Sequence, residues 1–184
     1  SRRPPSSSAG PVTRAFVALG SNLGDSWQTL RRARDAMNAI EATRVVASSA
    51  IYRSGAIGPG NQADDLNAVL ALDTDLGADR LLRTLFRLED GAGRVRHERW
   101  EARTLDLDLL LYGDDVRRSA ELTLPHPRMF ERNFVLLPLS DLCPGSFRFP
   151  DGSDLAARLR DCPPNPIERT AIRWDDVDRR GDST

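Results

Sequence analysis

One apolar segment near the middle of the chain constrains the fold more than any other part of the sequence. Residues 105–111 read LDLDLLL, in which Asp106 and Asp108 are the only polar residues. Such a run is typical of a buried β-strand. Because side chains two apart in a strand point to the same face, both carboxylates are expected on one side of a sheet. The sequence therefore predicts two neighbouring acids on an otherwise apolar surface.

A cluster of cationic side chains and one aromatic residue lies just before this strand. Its members are Arg94, Arg96, His97, Arg99, Trp100 and Arg103. Two like charges on an apolar face are costly unless a cation lies between them. Mg²⁺ suits that role, since it is often held by one or two carboxylates plus substrate phosphates, and two such ions roughly 3.5–4 Å apart can assist phosphoryl transfer. Arginine forks suit the remaining phosphate oxygens.

The same residues allow a simpler interpretation. All 26 Lys and Arg residues of this chain are arginines, so an arginine cluster can reflect composition alone. Asp106 and Asp108 could equally form a solvated face that is paired with those arginines, because perturbed carboxylates are often structural pairs. The combination of the acids, the arginine-rich loop and the apolar strand favours the metal site.

Length, charge and cysteine content restrict the class of protein. A chain of 184 residues is long enough to bury a core as one domain. Its net charge of −1 offers no general field for nucleic acid or anionic lipid. Cys143 and Cys162 lack the spacing of a disulfide framework or metal site and are predicted to be reduced thiols. No run is long and apolar enough to span a membrane, and no signal peptide is evident, which predicts a cytoplasmic protein.

Composition also divides the chain into three parts. Residues 1–14 are rich in Ser, Pro and Arg and are predicted to form a flexible tail, with a transit peptide as the alternative. Residues 15–162 are predicted to form a single domain. Residues 163–184 are proline-rich and then highly charged, so they are expected to wrap the surface or to be disordered.

The order of predicted elements favours an α+β fold. Strands are expected at residues 15–19, 45–53, 67–73 and at the aspartate segment, from their apolar and β-branched content. Helices are expected after residue 25, with Trp27, Leu30, Ala33, Met37 and Ile40 on the buried face, and after Asp79, with Leu81, Leu82, Leu85 and Leu88 buried. This βαββαβ order predicts a ferredoxin-like core with an antiparallel sheet and helices on one or both faces.

Further elements and two loops complete the prediction. C-terminal additions are a short strand at 121–124, a helix over 134–139 that ends at its proline, a hairpin around 147–149 and a helix over 154–160. The loop at 20–25 lacks the Gly-Lys-Ser/Thr ending of a P-loop, yet its glycines permit close approach of a substrate to the backbone. The long Gly- and Pro-rich loop at 54–65 is typical of functional loops.

Nine short motifs follow one another in the order and spacing of a known family. They are Gly20-Ser21-Asn22-Leu23, Tyr52-Arg53-Ser54, Gly58-Pro59, Leu66-Asn67-Ala68, Gly93-Arg94-Val95-Arg96, Arg99-Trp100, Arg103-Thr104-Leu105-Asp106-Leu107-Asp108, Leu124-Pro125-His126-Pro127 and Arg132-Asn133-Phe134. From residue 15 to residue 152 the sequence closely resembles the 6-hydroxymethyl-7,8-dihydropterin pyrophosphokinase family. The resemblance implies transfer of the β,γ-diphosphate of ATP to the hydroxymethyl group of the dihydropterin, with release of AMP and a requirement for two Mg²⁺ ions.

The resemblance also implies roles for individual residues. Asp106 and Asp108 would hold both metal ions and, with Arg94 and Arg103, form the catalytic set. The ATP-binding residues would be Glu89, Arg94, Arg96, Trp100, Arg103, Leu109, His126 and Arg132. The pterin-binding residues would be Asn22, Ser54, Gly55, Ile57, Asn67 and Phe134, the last as one stacking face for the ring. Simpler roles stay open for His126 as a turn residue and for Phe134 as a core residue.

Several positions depart from the family pattern. Asp65 stands where an aromatic residue usually provides the second stacking face. Glu101 and Ala102 replace a Gly-Pro pair before Arg103, Ser54-Gly55-Ala56 stands where prolines are common, and Phe86 replaces a frequent polar residue. The change at Glu101 and Ala102 bears on how the loop closes while Arg103 is retained, and the other departures bear on pterin affinity more than on the chemistry of ATP.

Two other classes of function compete with this interpretation. A two-metal nucleotide phosphohydrolase would use the same carboxylates and arginines, and would release free pyrophosphate instead of a pyrophosphorylated acceptor. A ferredoxin-like RNA-binding module would need exposed aromatic residues and a basic sheet face, which the near-neutral charge and 6% aromatic content do not favour. The resemblance implies ATP and the pterin as partners. No nucleic acid or membrane partner is expected, and the chain is expected to be a monomer.

Overall fold

A sheet of six antiparallel strands forms the centre of the structure, a computed structural model that describes residues 12–22, 26–55, 65–93 and 105–176. The strands are β1 Thr13–Ser21, β2 Thr43–Ser48, β3 Tyr52–Ser54, β4 Asp65–Thr74, β5 Asp106–Tyr112, β6 Arg117–Arg118, β7 Thr123–Leu124 and β8 Ile167–Arg169. The sheet has the order β5-β1-β4-β3-β8, and β2 also pairs with β4. β6 and β7 form a separate pair. The predicted antiparallel sheet is confirmed.

Helices cover both faces of the sheet. They are α1 Ser26–Asn38, α2 Ala78–Gly93, α3 Asn133–Leu142 and α4 Leu155–Asp161, with a 3₁₀ turn at Met129–Glu131. Leu30 of α1 and Leu81 of α2 share one buried core with Val17 of β1. Leu136 of α3 shares the other core with Phe16 of β1. Because each face carries its own core, central strands read as nearly continuous apolar runs, and the mixed helix and sheet class predicted from the sequence is confirmed.

The stretch at 45–53, predicted as one strand, forms two. Ser48 at the end of β2 lies opposite Leu70, and Tyr52 at the start of β3 lies opposite Asn67. One extra residue therefore separates the two pairings, as in a β-bulge. The hydroxyl of Ser49 accepts a hydrogen bond from the Val69 backbone nitrogen at 2.9 Å, which satisfies β4 at the interruption. The single-strand prediction is wrong because apolar content does not reveal a change of register.

Two further elements differ from their predicted bounds. Helix α3 continues past Pro138 to Leu142, although the sequence predicts an end at the proline. Proline removes one hydrogen bond of the helix, but Pro138 is buried beside Leu139, and that packing outweighs the loss. The predicted strand at 121–124 is reduced to β7, which pairs with β6 outside the main sheet. Helix α4 begins after Asp154, whose carboxylate caps the Ala157 nitrogen at 2.7 Å.

The chain beyond residue 162 contributes to the sheet. β8 pairs with β3 and forms the outer strand on that side, so part of the segment predicted to wrap the surface is an element of the fold. Across the described ranges, no helix has the length and apolar character needed to cross a membrane.

Candidate active site

The register of the sheet places one residue from each of four strands in a row. Asp106 of β5 lies opposite Gly20 of β1. Gly20 lies opposite Asn67 of β4, which in turn lies opposite Tyr52 of β3. Directly opposed residues of antiparallel strands point to the same face. Polar side chains therefore converge at one end of an otherwise apolar sheet face.

Asp108 occupies the same face one pleat further along β5. It lies opposite Ala18, whose side chain packs in the core under α3. Both aspartates line a cavity of about 220 Å³ together with Gly20 and Asn67. The other lining residues are Ala18, Leu19, Ser21, Asn22, Asp65, Arg132, Phe134 and Val135. The two carboxylates thus lie side by side at one cavity, as the alternation of the strand predicts.

A bulge in β5 brings His126 to the Asp108 carboxylate. The pairing of β1 with β5 shifts after Phe16, so that Leu110 is an extra residue in β5. The Leu110 carbonyl accepts a hydrogen bond from the His126 backbone nitrogen at 2.9 Å. As a result, His126 Nε2 lies 3.8 Å from Asp108 Oδ1. The bulge therefore bends β5 so that its edge lies next to His126.

The hydrogen bonds of His126 define its tautomer. Its Nδ1 accepts from the Arg128 backbone nitrogen at 3.2 Å, so the proton of the neutral ring is on Nε2, which faces Asp108. Burial lowers the pKa of His126; the Asp108 carboxylate opposes this shift, and Arg132 and Arg128 add to it. The lowered pKa favours the neutral ring, which presents its Nε2–H to the cavity.

Arg132 connects the acidic end of the cavity to an aromatic face. Its guanidinium lies 3.6 Å from Asp108 Oδ2, and its Cζ lies 5.6 Å from the centre of the Phe134 ring. Arg132 is the residue just before α3, so the start of that helix fixes both side chains against the sheet. Phe134 packs on the core under α3 and also lines the cavity, so its two predicted roles are compatible.

The opposite end of the cavity is built around the Asn67 amide. Asn67 is 7% exposed, and its Nδ2 donates to Ser54 Oγ at 2.7 Å. An ideal Cβ placed on Gly20 would lie 3.4 Å from Asn67 Oδ1. The glycine therefore leaves the space directly beside the amide oxygen, between Asn67 and Asp106.

Two polar atoms beside the cavity are candidates for ligand contacts. Ser21 Oγ and Asn22 Oδ1 are buried, and within the part of the chain that the structure describes they have no hydrogen-bond partner. A buried polar atom without a partner is costly. Both residues line the cavity and immediately precede the loop at 23–25, which lies outside the described residues.

The donor set at Asp106 and Asp108 suits a hard divalent cation. Carboxylate oxygens at the edge of an open cavity match the preference of Mg²⁺ for one or two protein carboxylates plus phosphate oxygens and water. No cluster of three or more His, Cys, Asp or Glu side chains occurs in the described ranges. The arrangement therefore fits a metal that is shared with a phosphorylated ligand better than a metal enclosed by protein ligands.

Comparison with known protein families identifies the group to which these residues belong. The family model described as 7,8-dihydro-6-hydroxymethylpterin-pyrophosphokinase (HPPK) matches residues 16–144. The chain belongs to the HPPK family. The match includes both aspartates, Asn67, His126 and Phe134.

Individual relatives extend the comparison beyond the family model. A 2-amino-4-hydroxy-6-hydroxymethyldihydropteridine pyrophosphokinase of Pseudomonas aeruginosa is 45% identical over 158 residues, covering 86% of this chain and 97% of the relative. A Haemophilus influenzae protein of the same name is 43% identical over 128 residues, covering 70% and 80%. A solved structure of Plasmodium falciparum HPPK-DHPS is similar in fold, with a TM-score of 0.65, 11% identity and 83% coverage of this chain. This chain spans 46% of that longer protein.

Several of the predicted HPPK site residues fall outside the described ranges. They are Ile57, Arg94, Arg96, Trp100 and Arg103. Gly55 is described and exposed at the end of β3. Asp65, which departs from the family pattern, lies opposite Ser54 and lines the cavity. The described part of the cavity thus has an acidic side chain at the position where the family pattern usually has an aromatic residue.

Two residues predicted to bind ATP are buried on the side of the sheet that α1 and α2 cover. Leu109 is 2% exposed and packs in the core on that side. Glu89 is 8% exposed, and its Oε2 accepts a hydrogen bond from the Leu107 backbone nitrogen at 2.9 Å. Leu107 separates the two aspartates along β5, and β5 is an outer strand of the sheet. Glu89 therefore holds the strand that carries both carboxylates.

Sequence reasoning missed a partly buried polar contact beside the HPPK site. The Tyr52 hydroxyl lies 3.0 Å from both carboxylate oxygens of Asp141 on α3. Asp141 Oδ2 also accepts from the Ala50 nitrogen at 3.0 Å. The sequence signal for this contact was Asp141, a lone acid in the apolar sequence of α3. Its carboxylate needs a nearby hydrogen-bond donor once the helix packs on the sheet.

This contact predicts a loss of stability at alkaline pH. Burial, followed by the hydrogen bond to Asp141, raises the pKa of Tyr52 to about 12. Since the unfolded phenol titrates near pH 10, the protonated form stabilises the folded state fully below pH 10, and this contribution is lost as the pH rises toward 12. The free energy of unfolding of the wild type, measured by denaturant titration, should fall more steeply across that range than that of Tyr52→Phe. Equal slopes would contradict the assignment.

Proposed function

We propose that this chain transfers the diphosphate of ATP to the hydroxymethyl group of 6-hydroxymethyl-7,8-dihydropterin, with release of AMP, in folate biosynthesis. The observation that carries this function is the row in which Asp106 and Asn67 flank Gly20 at one cavity, in a chain of the HPPK family. In this proposal Asp106 and Asp108 bind the nucleotide, and the Asn67 amide binds the pterin.

Asp106 and Asp108 are proposed to hold Mg²⁺ with the phosphates of ATP. Two ions are proposed, as the family resemblance implies. Bound Mg²⁺ would neutralise charge on the phosphate oxygens and orient the triphosphate. His126 Nε2–H and the Arg132 guanidinium both face Asp108, which supports their proposed contacts with phosphate oxygens.

The remaining nucleotide contacts are proposed from sequence. Arg94, Arg96 and Arg103 would bind phosphate oxygens, with Arg94 and Arg103 in the catalytic set, and Trp100 would contact ATP. The burial of the Leu109 side chain restricts its proposed contact to backbone atoms. The hydrogen bond of Glu89 to Leu107 supports a positioning role in addition to any contact with ATP.

The pterin is proposed to bind between Asn67 and Phe134. The Asn67 amide would hydrogen-bond the ring, and Phe134 would stack on one of its faces. Backbone groups of Ser54, Gly55 and Ile57, together with Asn22, would complete the pocket. The buried Asn22 Oδ1 without a partner among the described residues supports a contact to ligand N–H groups.

Transfer then requires one bond to form and one to break. The hydroxymethyl oxygen attacks the β-phosphorus, and the bond between this phosphorus and the oxygen bridging to the α-phosphorus breaks. The hydroxyl proton is released, and AMP leaves with the bridging oxygen, which keeps the electron pair of the broken bond. The side chains at the cavity contribute by orienting both substrates and neutralising phosphate charge.

A product assay tests the proposed function. Release of AMP should depend on the hydroxymethyl dihydropterin, and the diphosphate should be recovered on the pterin. AMP with free pyrophosphate, formed equally well without pterin, would instead establish a nucleotide phosphohydrolase.

Three further predictions from the sequence stay predictions. They are the ferredoxin-like core, the monomeric state and the cytoplasmic location. The β5-β1-β4-β2 order of strands supports the first of them.

Replacement of Glu89 should lower turnover through the strand that it holds. Glu89→Leu leaves the buried Leu107 nitrogen without its acceptor, so Asp106 and Asp108 lose their fixed position, and kcat is expected to fall roughly tenfold to a hundredfold. Glu89→Gln retains an acceptor oxygen and should keep most of the turnover. Steady-state kinetics at saturating Mg²⁺ measure the difference; equal losses in both variants would argue for a direct role of the charge.

A further inference from the structure

We infer that residues 163–176, here named the C-terminal strap, position the pterin-binding half of the site. This inference rests on the proposed function, because it concerns the same pocket. The family model ends at residue 144, so the strap lies outside the part of the chain that it matches. The strap nevertheless contacts the strand that carries Ser54.

The strap holds β3 through backbone pairing. Ile167 of β8 lies opposite Ser54, and Arg169 lies opposite Tyr52. Just after β8, the nitrogen and the hydroxyl of Thr170 both donate to the Ile51 carbonyl, at 3.0 and 2.7 Å. Without β8, β3 would be an outer strand of three residues. Pairing of β3 with both β4 and β8 therefore supports it better than pairing with one strand would.

Both ends of the strap are anchored to other elements. Near its start, the Asn165 carbonyl accepts from Asn133 Nδ2 of α3 at 2.8 Å. Near its end, Trp174 Nε1 donates to the Ser49 carbonyl at 2.7 Å, and the Arg34 guanidinium of α1 lies 5.0 Å from the centre of the Trp174 ring. The strap therefore fixes the backbone before and along β3.

A short chain of contacts leads from the strap to the cavity. Ser54 is paired with Ile167 on one side, and its Oγ accepts from Asn67 Nδ2 at 2.7 Å. That bond turns the other amide atom, Asn67 Oδ1, toward the space left by Gly20. The aspartates, by contrast, lie on β5, on the far side of β1 and β4 from the strap. Loosening the strap should therefore weaken pterin binding and spare ATP binding.

Variants of Thr170 test this inference without deleting the strap. Thr170→Pro removes both donors to the Ile51 carbonyl, Thr170→Val removes the hydroxyl alone, and Thr170→Ser retains both. Equilibrium titration with 6-hydroxymethyl-7,8-dihydropterin, followed by its fluorescence, should show affinity about tenfold weaker for the proline variant, a smaller loss for valine and near-wild-type binding for serine. Binding of a non-hydrolysable ATP analogue should change less than about twofold.

Two controls separate positioning from general loss of stability. The ion pair between Asp73 and Arg14 is 2.6 Å long and lies at the end of β1 and β4 that is opposite to Gly20 and Asn67. Asp73→Asn breaks this pair, so it should lower the free energy of unfolding without weakening pterin binding. In a Ser54→Ala background, Thr170→Pro should add little further loss, because both act through the same amide. Equal weakening of both ligands, or full additivity with Ser54→Ala, would overturn the inference. A wild type that binds no pterin would instead overturn the proposed function.

Discussion

Asp108→Ala should lower kcat by about a thousandfold, with a much smaller change in the KM for the pterin. The Asp108 carboxylate lies at the cavity between His126 Nε2 and the Arg132 guanidinium, at 3.8 and 3.6 Å. Its removal would take the nearby negative charge from His126 and Arg132 and one of the two carboxylates from the proposed Mg²⁺ site. Measurement of pterin-dependent AMP release across a Mg²⁺ titration tests the prediction.

A matched acid on the same segment of chain controls for loss of charge. Asp114 is exposed just beyond the other end of β5, so Asp114→Ala removes the same group far from the cavity. This variant should keep wild-type turnover and Mg²⁺ dependence. Near-normal turnover of Asp108→Ala would count decisively against the metal site.

Gly20→Val should weaken pterin binding by roughly tenfold to a hundredfold, because overfilling a packed site costs about 1–3 kcal/mol. An ideal Cβ at this position would lie 3.4 Å from Asn67 Oδ1, which is van der Waals contact distance. The two additional methyl groups of valine would enter the space beside that oxygen, where the ring is proposed to bind. Pterin fluorescence titration gives the affinity directly.

A graded series distinguishes occlusion of the pocket from disruption of β1. Gly20→Ala adds a group at ordinary contact distance and should cost far less than valine. Thermal unfolding of both variants reports whether β1 still pairs with β4 and β5. Unchanged pterin affinity in a folded Gly20→Val protein would exclude this space as the pterin site.

Local sequence pattern was sufficient to predict the central elements. The alternation in LDLDLLL places Asp106 and Asp108 on one face, and the structure has both at one cavity. The helical spacing of Leu30, Ala33 and Met37 matches the buried face of α1. These predictions succeed because the spacing of apolar residues depends on which face of the strand or helix packs on the core. That spacing can be read from consecutive residues.

Features that depend on distant pairing were not predictable in the same way. The division of residues 45–53 into β2 and β3 arises from one extra residue against β4, which composition does not reveal. β8 is stabilised by an open edge of β3 more than a hundred residues earlier in the sequence. The bond from Glu89 to Leu107 required knowing that α2 packs behind β5.

The position of Gly20 between Asp106 and Asn67 has a consequence for how donor and acceptor meet. Neighbouring strands are about 4.8 Å apart, so the backbone positions of the acid and the amide are separated by two such steps, about 10 Å. This separation is imposed by main-chain hydrogen bonds, which substitutions of side chains leave intact. Sequence changes in the surrounding loops can therefore alter the affinity for either substrate, while the distance between the backbone positions of Asp106 and Asn67 stays constant.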